Sequence, residues 1–195
     1  AITAGRVPRG VTAPRAFRAC GLRCGLKTTG KDLALLASDR PAAAAALFTT
    51  NRLAAAPVRL SRQRVKSGVA QAVVINSGNA NACTGERGRA DAEEMTELVA
   101  EHLEFDPRHV LVASTGIIGV ALPMDIVRPG IQKACRRLSP DGGEDAAHAI
   151  MTTDTRPKHF SATFAIEGTP CRLGAMAKGS GMINPQLATM ICVLT

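Results

Sequence analysis

Three apolar runs, Leu33-Ala34-Leu35-Leu36-Ala37, Ala72-Val73-Val74-Ile75 and Val110-Leu111-Val112-Ala113, constrain this chain more than anything else in it. Each is only four or five residues long with no polar residue interleaved. Such a run is short for a core helix and apolar on both faces of a strand, so it reads as a strand buried on both sides. Strands covered on both faces need further layers above and below, and 195 residues are enough to build them.

The remaining pattern supplies those layers. Ala44-Ala45-Ala46-Leu47-Phe48-Thr49-Thr50 reads as one more short strand after a Ser38-Asp39-Arg40-Pro41 turn, although its alanines suit a helix equally. Met95, Leu98, Val99 and Leu103 recur at helical spacing and predict a helix over residues 90–103, with acids in its first turn. A second helix is expected over 124–138, with Pro123 near its start and Pro129-Gly130 kinking or splitting it, and a third over 143–151. Residues 160–166 and 171–176 predict a hairpin turning near Gly168, and residues 1–32 read as an irregular arm with turns. Strands and helices mix without strict alternation, so the fold class is α/β in the broad sense, more closely a layered α+β arrangement.

Composition excludes several classes. No run of about 18 apolar residues exists, so no membrane-spanning helix is expected, and the first residues do not resemble a secretory signal. A cytoplasmic location is expected, or an organellar one if a transit peptide once preceded Ala1. The apolar end at Cys192-Val193-Leu194-Thr195 reads as a strand and suggests a portion of a longer polypeptide. Six cysteines at 20, 24, 83, 135, 171 and 192 form no Cys-x-x-Cys pair, which predicts free, mostly buried thiols and no metal site. The net charge of +8 admits nucleic acid, but Arg and Lys are scattered and Trp and Tyr are absent, so neither a basic stripe nor a stacking platform is present. The charge reads as a basic solvated surface, which would also favour an anionic small substrate.

Five segments carry polar groups in patterns that chemistry can use. Gly25-Leu26-Lys27-Thr28-Thr29-Gly30-Lys31 matches Gly-x4-Gly-Lys, but Asp32 stands where a P-loop needs Ser or Thr for magnesium, and Ala19 to Cys24 is a poor strand. An ordinary glycine turn is the expectation. Asn76-Ser77-Gly78-Asn79 begins a polar stretch reaching Gly85 that reads as a self-bonding turn or as the lining of a site. Ser114-Thr115-Gly116, directly after a buried strand, is either a strand-ending turn or an oxyanion hole, with Gly116 admitting substrate close to the backbone. Met151-Thr152-Thr153-Asp154 ends a helical segment with two hydroxyls and a carboxylate, and His148 reads as a packed helix histidine. In the last segment, Met176 to Met190, a glycine-bracketed Lys178 precedes Asn184-Pro185 and the small pair Ala188-Thr189. Thr189 is either a plain strand-start threonine or a nucleophile that attacks its own preceding carbonyl and is released with a free α-amine, a built-in base with a pKa near ~8.

The last four of these segments, extended to Ala113–Gly119 and Ala149–Asp154, together with Gly10-Val11-Thr12-Ala13-Pro14, Ala16-Phe17 and Ala46-Leu47-Phe48-Thr49-Thr50-Asn51, give the chain a collinear resemblance to the ornithine acetyltransferase family, the self-cleaving glutamate N-acetyltransferases of arginine biosynthesis. The resemblance covers nearly the whole sequence as the N-terminal portion of one catalytic unit, including the start of a second chain from Thr189. It implies an αββα sandwich, cleavage between Ala188 and Thr189, and two chains that stay together as a heterotetramer of two alpha and two beta chains. It implies that Thr189 takes acetyl from N2-acetyl-L-ornithine, releases L-ornithine and passes the acetyl to L-glutamate, without a cofactor. Acetyl-CoA is a possible co-substrate in this family. Thr115 and Gly116 match oxyanion-hole positions, and Thr152, Lys178 and Thr189 match substrate-binding positions. With Thr189 still in peptide linkage, these residues alone should be inactive. A related aminopeptidase of the same architecture, transferring to water, is the alternative.

Overall fold

Leu33, Leu35 and Ala37 bury one face of a strand while Ala34 and Leu36 bury the other. Each face belongs to a different core. The computed structural model describes residues 3–4, by backbone alone, 9–179 and 190–195. Strands β2 (Phe17–Leu22), β3 (Leu33–Ala43), β4 (Val69–Asn79) and β5 (Val110–Ile117) form one sheet in that order. The β2–β3 and β3–β4 pairs are antiparallel, whereas β4 and β5 are parallel, Val74 opposite Val112 and Gly78 opposite Gly116.

On one face of this sheet lie α1 (Ala56–Arg64), α2 (Gly85–Leu103) and α3 (Met124–Arg136). Met95, Val99, Val127 and Ile131 of α2 and α3 meet Leu33, Leu35, Val74 and Val112 there, all buried. Each such side chain contributes roughly 1.5–3 kcal/mol on leaving water, which is what holds the layer in place. On the other face, α4 (Gly143–Ala149) and a second sheet complete a core of Val11, Ala34, Leu36, Ile75, Ala146, Ile150 and Met176. The second sheet is antiparallel throughout, with β1 (Thr3–Ala4), β6 (Lys158–Ile166), β7 (Thr169–Lys178) and β8 (Ile191–Leu194) in that order. The described residues therefore supply helix, sheet and sheet layers of an α+β arrangement.

The local expectations hold where the signal is local. The hairpin of β6 and β7 turns on Glu167 and Gly168, both with positive φ (49° and 81°), as a two-residue turn between right-twisted strands requires. The predicted helices all form, α3 running unbroken through Pro129 because Val127, Ile131 and Ala134 anchor it on both sides of the missing donor.

Five expectations are corrected. The predicted turn at Ser38-Asp39-Arg40-Pro41 lies within β3, and residues 44–50 form neither strand nor helix. The ladder to β4 shifts register between Ala37 and Ala42, so an irregularity in pairing absorbs the proline that the local sequence reads as a stop. Asn76-Ser77-Gly78-Asn79 likewise continues β4 instead of ending it, because β5 pairs with it through these residues. Residues 17–22, assigned to an irregular arm and rejected as a strand, are β2, held by six register pairs to β3. The six cysteines are free, but only Cys20 and Cys135 are buried; Cys24 and Cys171 are half-buried, and Cys83 and Cys192 are exposed. Among the described helices none is long and apolar enough to cross a membrane.

Candidate active site

Parallel strands β4 and β5 present their carboxyl ends together, the usual place for ligands in such sheets. The join is tight. Gly116 has φ +139°, and a Cβ there would lie 2.3 Å from the Gly78 carbonyl carbon and 2.5 Å from the Asn79 nitrogen. Glycine is thus required at 116 by the neighbouring strand, whatever its relation to a substrate. A net of asparagines fixes the same end: Asn76 Nδ2 donates to the Asn79 carbonyl (2.8 Å), Asn81 N–H to Asn79 Oδ1 (2.8 Å) and Asn81 Nδ2 to the Gly88 carbonyl (2.7 Å). The self-bonding expected of this polar segment is present, on a strand end.

Three residues from distant parts of the chain converge beside it. Lys178, the last residue of β7, is only 2% exposed. Its ammonium donates to Thr152 Oγ1 at 2.5 Å and to Thr115 Oγ1 at 3.3 Å. Thr115 is buried at the end of β5, and Thr152 follows α4. Ser77 Oγ donates to the Ala149 carbonyl at 2.6 Å and so ties β4 to the end of α4, which sets where Thr152 begins.

Asp154 closes the far side. Its side chain is 1% exposed and accepts from Lys158 Nζ, from the Gly179 N–H at 3.0 Å and from the Thr152 N–H at 3.4 Å. Burial alone would raise its carboxyl, but these hydrogen bonds outweigh burial and hold it below the usual carboxylate range. Burial pushes the Lys178 ammonium below its ordinary value; Asp154 opposes that shift, and Lys158 and Lys27 add to it. What results is a poorly hydrated cation whose two hydroxyl partners accept its protons and keep their own hydrogens for a ligand. Such a group can receive a carboxylate or polarise a carbonyl, with Thr115 and Thr152 as donors beside it.

Two contributors escaped the sequence reading. The Gly25–Lys31 loop binds an anion, but the anion is internal: Asp32, fully buried, accepts N–H hydrogen bonds from Cys24 (2.6 Å), Gly25 (3.0 Å) and Lys27 (3.0 Å). Asp32 is raised by burial and lowered more by these donors, so its carboxyl sits below its usual value. The acid that disqualifies a P-loop is the signal that the loop's amides are already occupied. After this loop the chain enters β3 instead of a helix. Lys27 then points across to α4's end, where Nζ donates to the Met151 carbonyl at 3.0 Å. Together Lys27, Gly30, Lys31, Asp145, His148, Met151 and Thr152 line an open cleft of about 440 Å3.

Of the residues singled out in the sequence, Thr115, Thr152 and Lys178 meet directly, and Gly116 adjoins them. His148, expected as a packed helix histidine, is only half-buried and lines the cleft, with Nδ1 3.0 Å from the Glu144 carbonyl one turn earlier. Ala188 and Thr189, the scissile pair, lie outside the described residues. Among the described residues no group of three His, Cys, Asp or Glu is placed to hold a metal ion.

A layered α+β fold that buries a lysine between the hydroxyl of Thr115 at a strand end and that of Thr152 after α4 defines a class of site whose chemistry suits anionic or carbonyl-bearing small molecules. The chain belongs to the ArgJ family, whose model matches residues 18–195. It is 57% identical over 189 residues to the arginine biosynthesis bifunctional protein ArgJ of Symbiobacterium thermophilum, covering 95% of this chain and 47% of that protein. For its counterpart in Caldanaerobacter subterraneus the identity is 55% over 181 residues, covering 93% and 45%. The chain thus spans about half the length of these curated relatives. Among solved structures, the ornithine acetyltransferase of Mycobacterium tuberculosis complexed with ornithine is 42% identical at a TM-score of 0.87, covering 95% of this chain and 100% of that one. The Bacillus halodurans ArgJ structure is 36% identical at the same TM-score, covering 97% and 99%.

Proposed function

We propose that this chain forms part of an acyltransferase of arginine biosynthesis that moves acetyl from N2-acetyl-L-ornithine to L-glutamate through an acetyl ester on Thr189. The observation that carries the reading is the buried Lys178 ammonium held between Thr115 and Thr152. The similarity to the Mycobacterium tuberculosis ornithine acetyltransferase, solved with ornithine, supports the substrate class.

In the proposed scheme Thr189 Oγ first attacks the Ala188 carbonyl carbon and the C–N bond breaks as the nitrogen takes the proton. Water then hydrolyses the resulting ester, leaving an Ala188 carboxylate and a free Thr189 amine. That amine takes the hydroxyl proton as Oγ attacks the acetyl carbonyl of N2-acetyl-L-ornithine. Negative charge develops on the carbonyl oxygen, where Thr115 and Gly116 are the proposed donors, each such donor being worth about 3 kcal/mol. Ornithine leaves with the proton, and the α-amine of glutamate attacks the acetyl ester to regenerate Thr189. Lys178 and Thr152 receive the α-carboxylate common to both amino acids and hold the reacting nitrogen at Thr189. The second chain that starts at Thr189 stays paired with the first, two such pairs forming the proposed heterotetramer.

Intact mass of the full-length gene product tests the cleavage. Two chains breaking between Ala188 and Thr189 are expected, and one chain for Thr189→Ala. Incubation with N2-acetyl-L-ornithine should yield N-acetylglutamate only when glutamate is supplied; release of free acetate at an equal rate without glutamate overturns the transferase reading.

A further inference from the structure

Two substrates of opposite side-chain charge must share the proposed site, since ornithine ends in an ammonium and glutamate in a carboxylate. Lys178 and Thr152 account for the α-carboxylate that both carry, and leave the glutamate side chain without a partner. Lys27 stands one backbone step away. Its Nζ donates to the carbonyl of Met151, the residue before Thr152, and among the described residues that is its one hydrogen bond, leaving two N–H groups of the ammonium for a ligand. It lines the same cleft as Thr152.

The residue is also held firmly. Asp32 gathers the amides of Cys24, Gly25 and Lys27 and so fixes the backbone from which Lys27 projects. The aliphatic stem runs over Gly78, where a Cβ would come within 2.9 Å of Lys27 Cγ, and Gly78 is the residue that pairs with Gly116 at the strand ends. Lys31, by contrast, is engaged by Asp145 on the rim. A cation presented on a fixed loop, partly desolvated and one residue from the α-carboxylate site, suits the second carboxylate of a short dicarboxylic amino acid.

We propose that Lys27 receives the side-chain carboxylate of the acyl acceptor and so selects a dicarboxylic amino acid for the second half of the reaction. This rests on the reading that glutamate is the acceptor, and its test is arranged to separate the two. Lys27→Met keeps the stem and removes the charge; Lys27→Arg keeps a cation. In the full-length gene product, the ratio of KM for glutamate to KM for N2-acetyl-L-ornithine should rise roughly tenfold in Lys27→Met, the usual cost of losing one charged hydrogen bond. In Lys27→Arg the ratio should recover in large part. Titration calorimetry with glutamate, and with ornithine as the control ligand, reads the same selectivity without turnover. Equal weakening of both ligands, which a merely structural lysine would give, overturns the proposal, as does unchanged glutamate binding or a wild-type protein that binds no glutamate. A wild type that binds glutamate through Lys27 yet transfers no acetyl refutes the transferase reading alone.

Discussion

The Lys178 ammonium lies 2.5 Å from the Thr152 hydroxyl, joining the end of a strand in one sheet to the segment that follows α4. Removing that hydroxyl leaves a buried cation short of a partner while changing little of the shape. Thr152→Val should lower kcat/KM for N2-acetyl-L-ornithine by about 10–100-fold, the cost of a hydrogen bond to a charged group. Steady-state kinetics of the full-length gene product checks this, and activity within twofold of wild type would show that Lys178 needs no such orientation.

Asp32 is a pH-dependent source of stability. Its folded-state pKa is below the ordinary value, so its contribution is complete above the unfolded value near ~4 and is lost as pH falls through the folded value. Asp32→Asn should cost about 2–3 kcal/mol at pH 7, because three amides lose a charged acceptor. The gap between wild type and variant should narrow as pH drops below ~4. Urea unfolding at neutral and acid pH measures both.

Two glycines near the site should respond unequally to alanine. Gly119 has φ +82° but open space around its missing Cβ, so Gly119→Ala should cost about 1–2 kcal/mol from backbone strain alone. Gly116→Ala adds a direct collision with the β4 backbone and should cost more than about 3 kcal/mol. Thermal denaturation of the two variants side by side gives the comparison.

Thiol labelling should divide the cysteines by environment. Cys83 is exposed and should alkylate within minutes in native protein; Cys192 is exposed too but should react more slowly, because partial burial pushes its thiol up, whereas Cys20 and Cys135 are buried and should wait for unfolding. Cys24 is half-buried yet should also resist, because burial first and the Asp32 charge second push its thiol up to about 12. Peptide mass spectrometry after a short iodoacetamide pulse reads each site. Fast labelling of Cys24 would mean that the Asp32 loop opens readily.

The two buried-face strands β3 and β4, the amphipathic α2 and the β6–β7 hairpin were legible because their causes are local: an unbroken apolar run, a 3.6-residue period, and a Glu-Gly pair that takes positive φ. Family membership was equally legible, since Asn76 to Gly85, Ser114 to Gly116 and Met176 to Met190 are read in order along the chain. What tertiary structure decided was everything that depends on a distant partner. Pro41 and Asn76-Ser77-Gly78-Asn79 signal turns, yet both lie in strands: the β3–β4 ladder resumes at Ala42 beyond an irregularity that spans Pro41, and β5 pairs with residues 76–79. Lys27 and Met151 are 124 residues apart, and Lys178 and Thr115 are 63 apart, so no local pattern could report either contact. The sequence by itself determined which residue types were available to bind and react; only folding decided that Asp32 would fill the glycine loop, and that Lys27 and Lys178 would be brought to the two sides of Thr152.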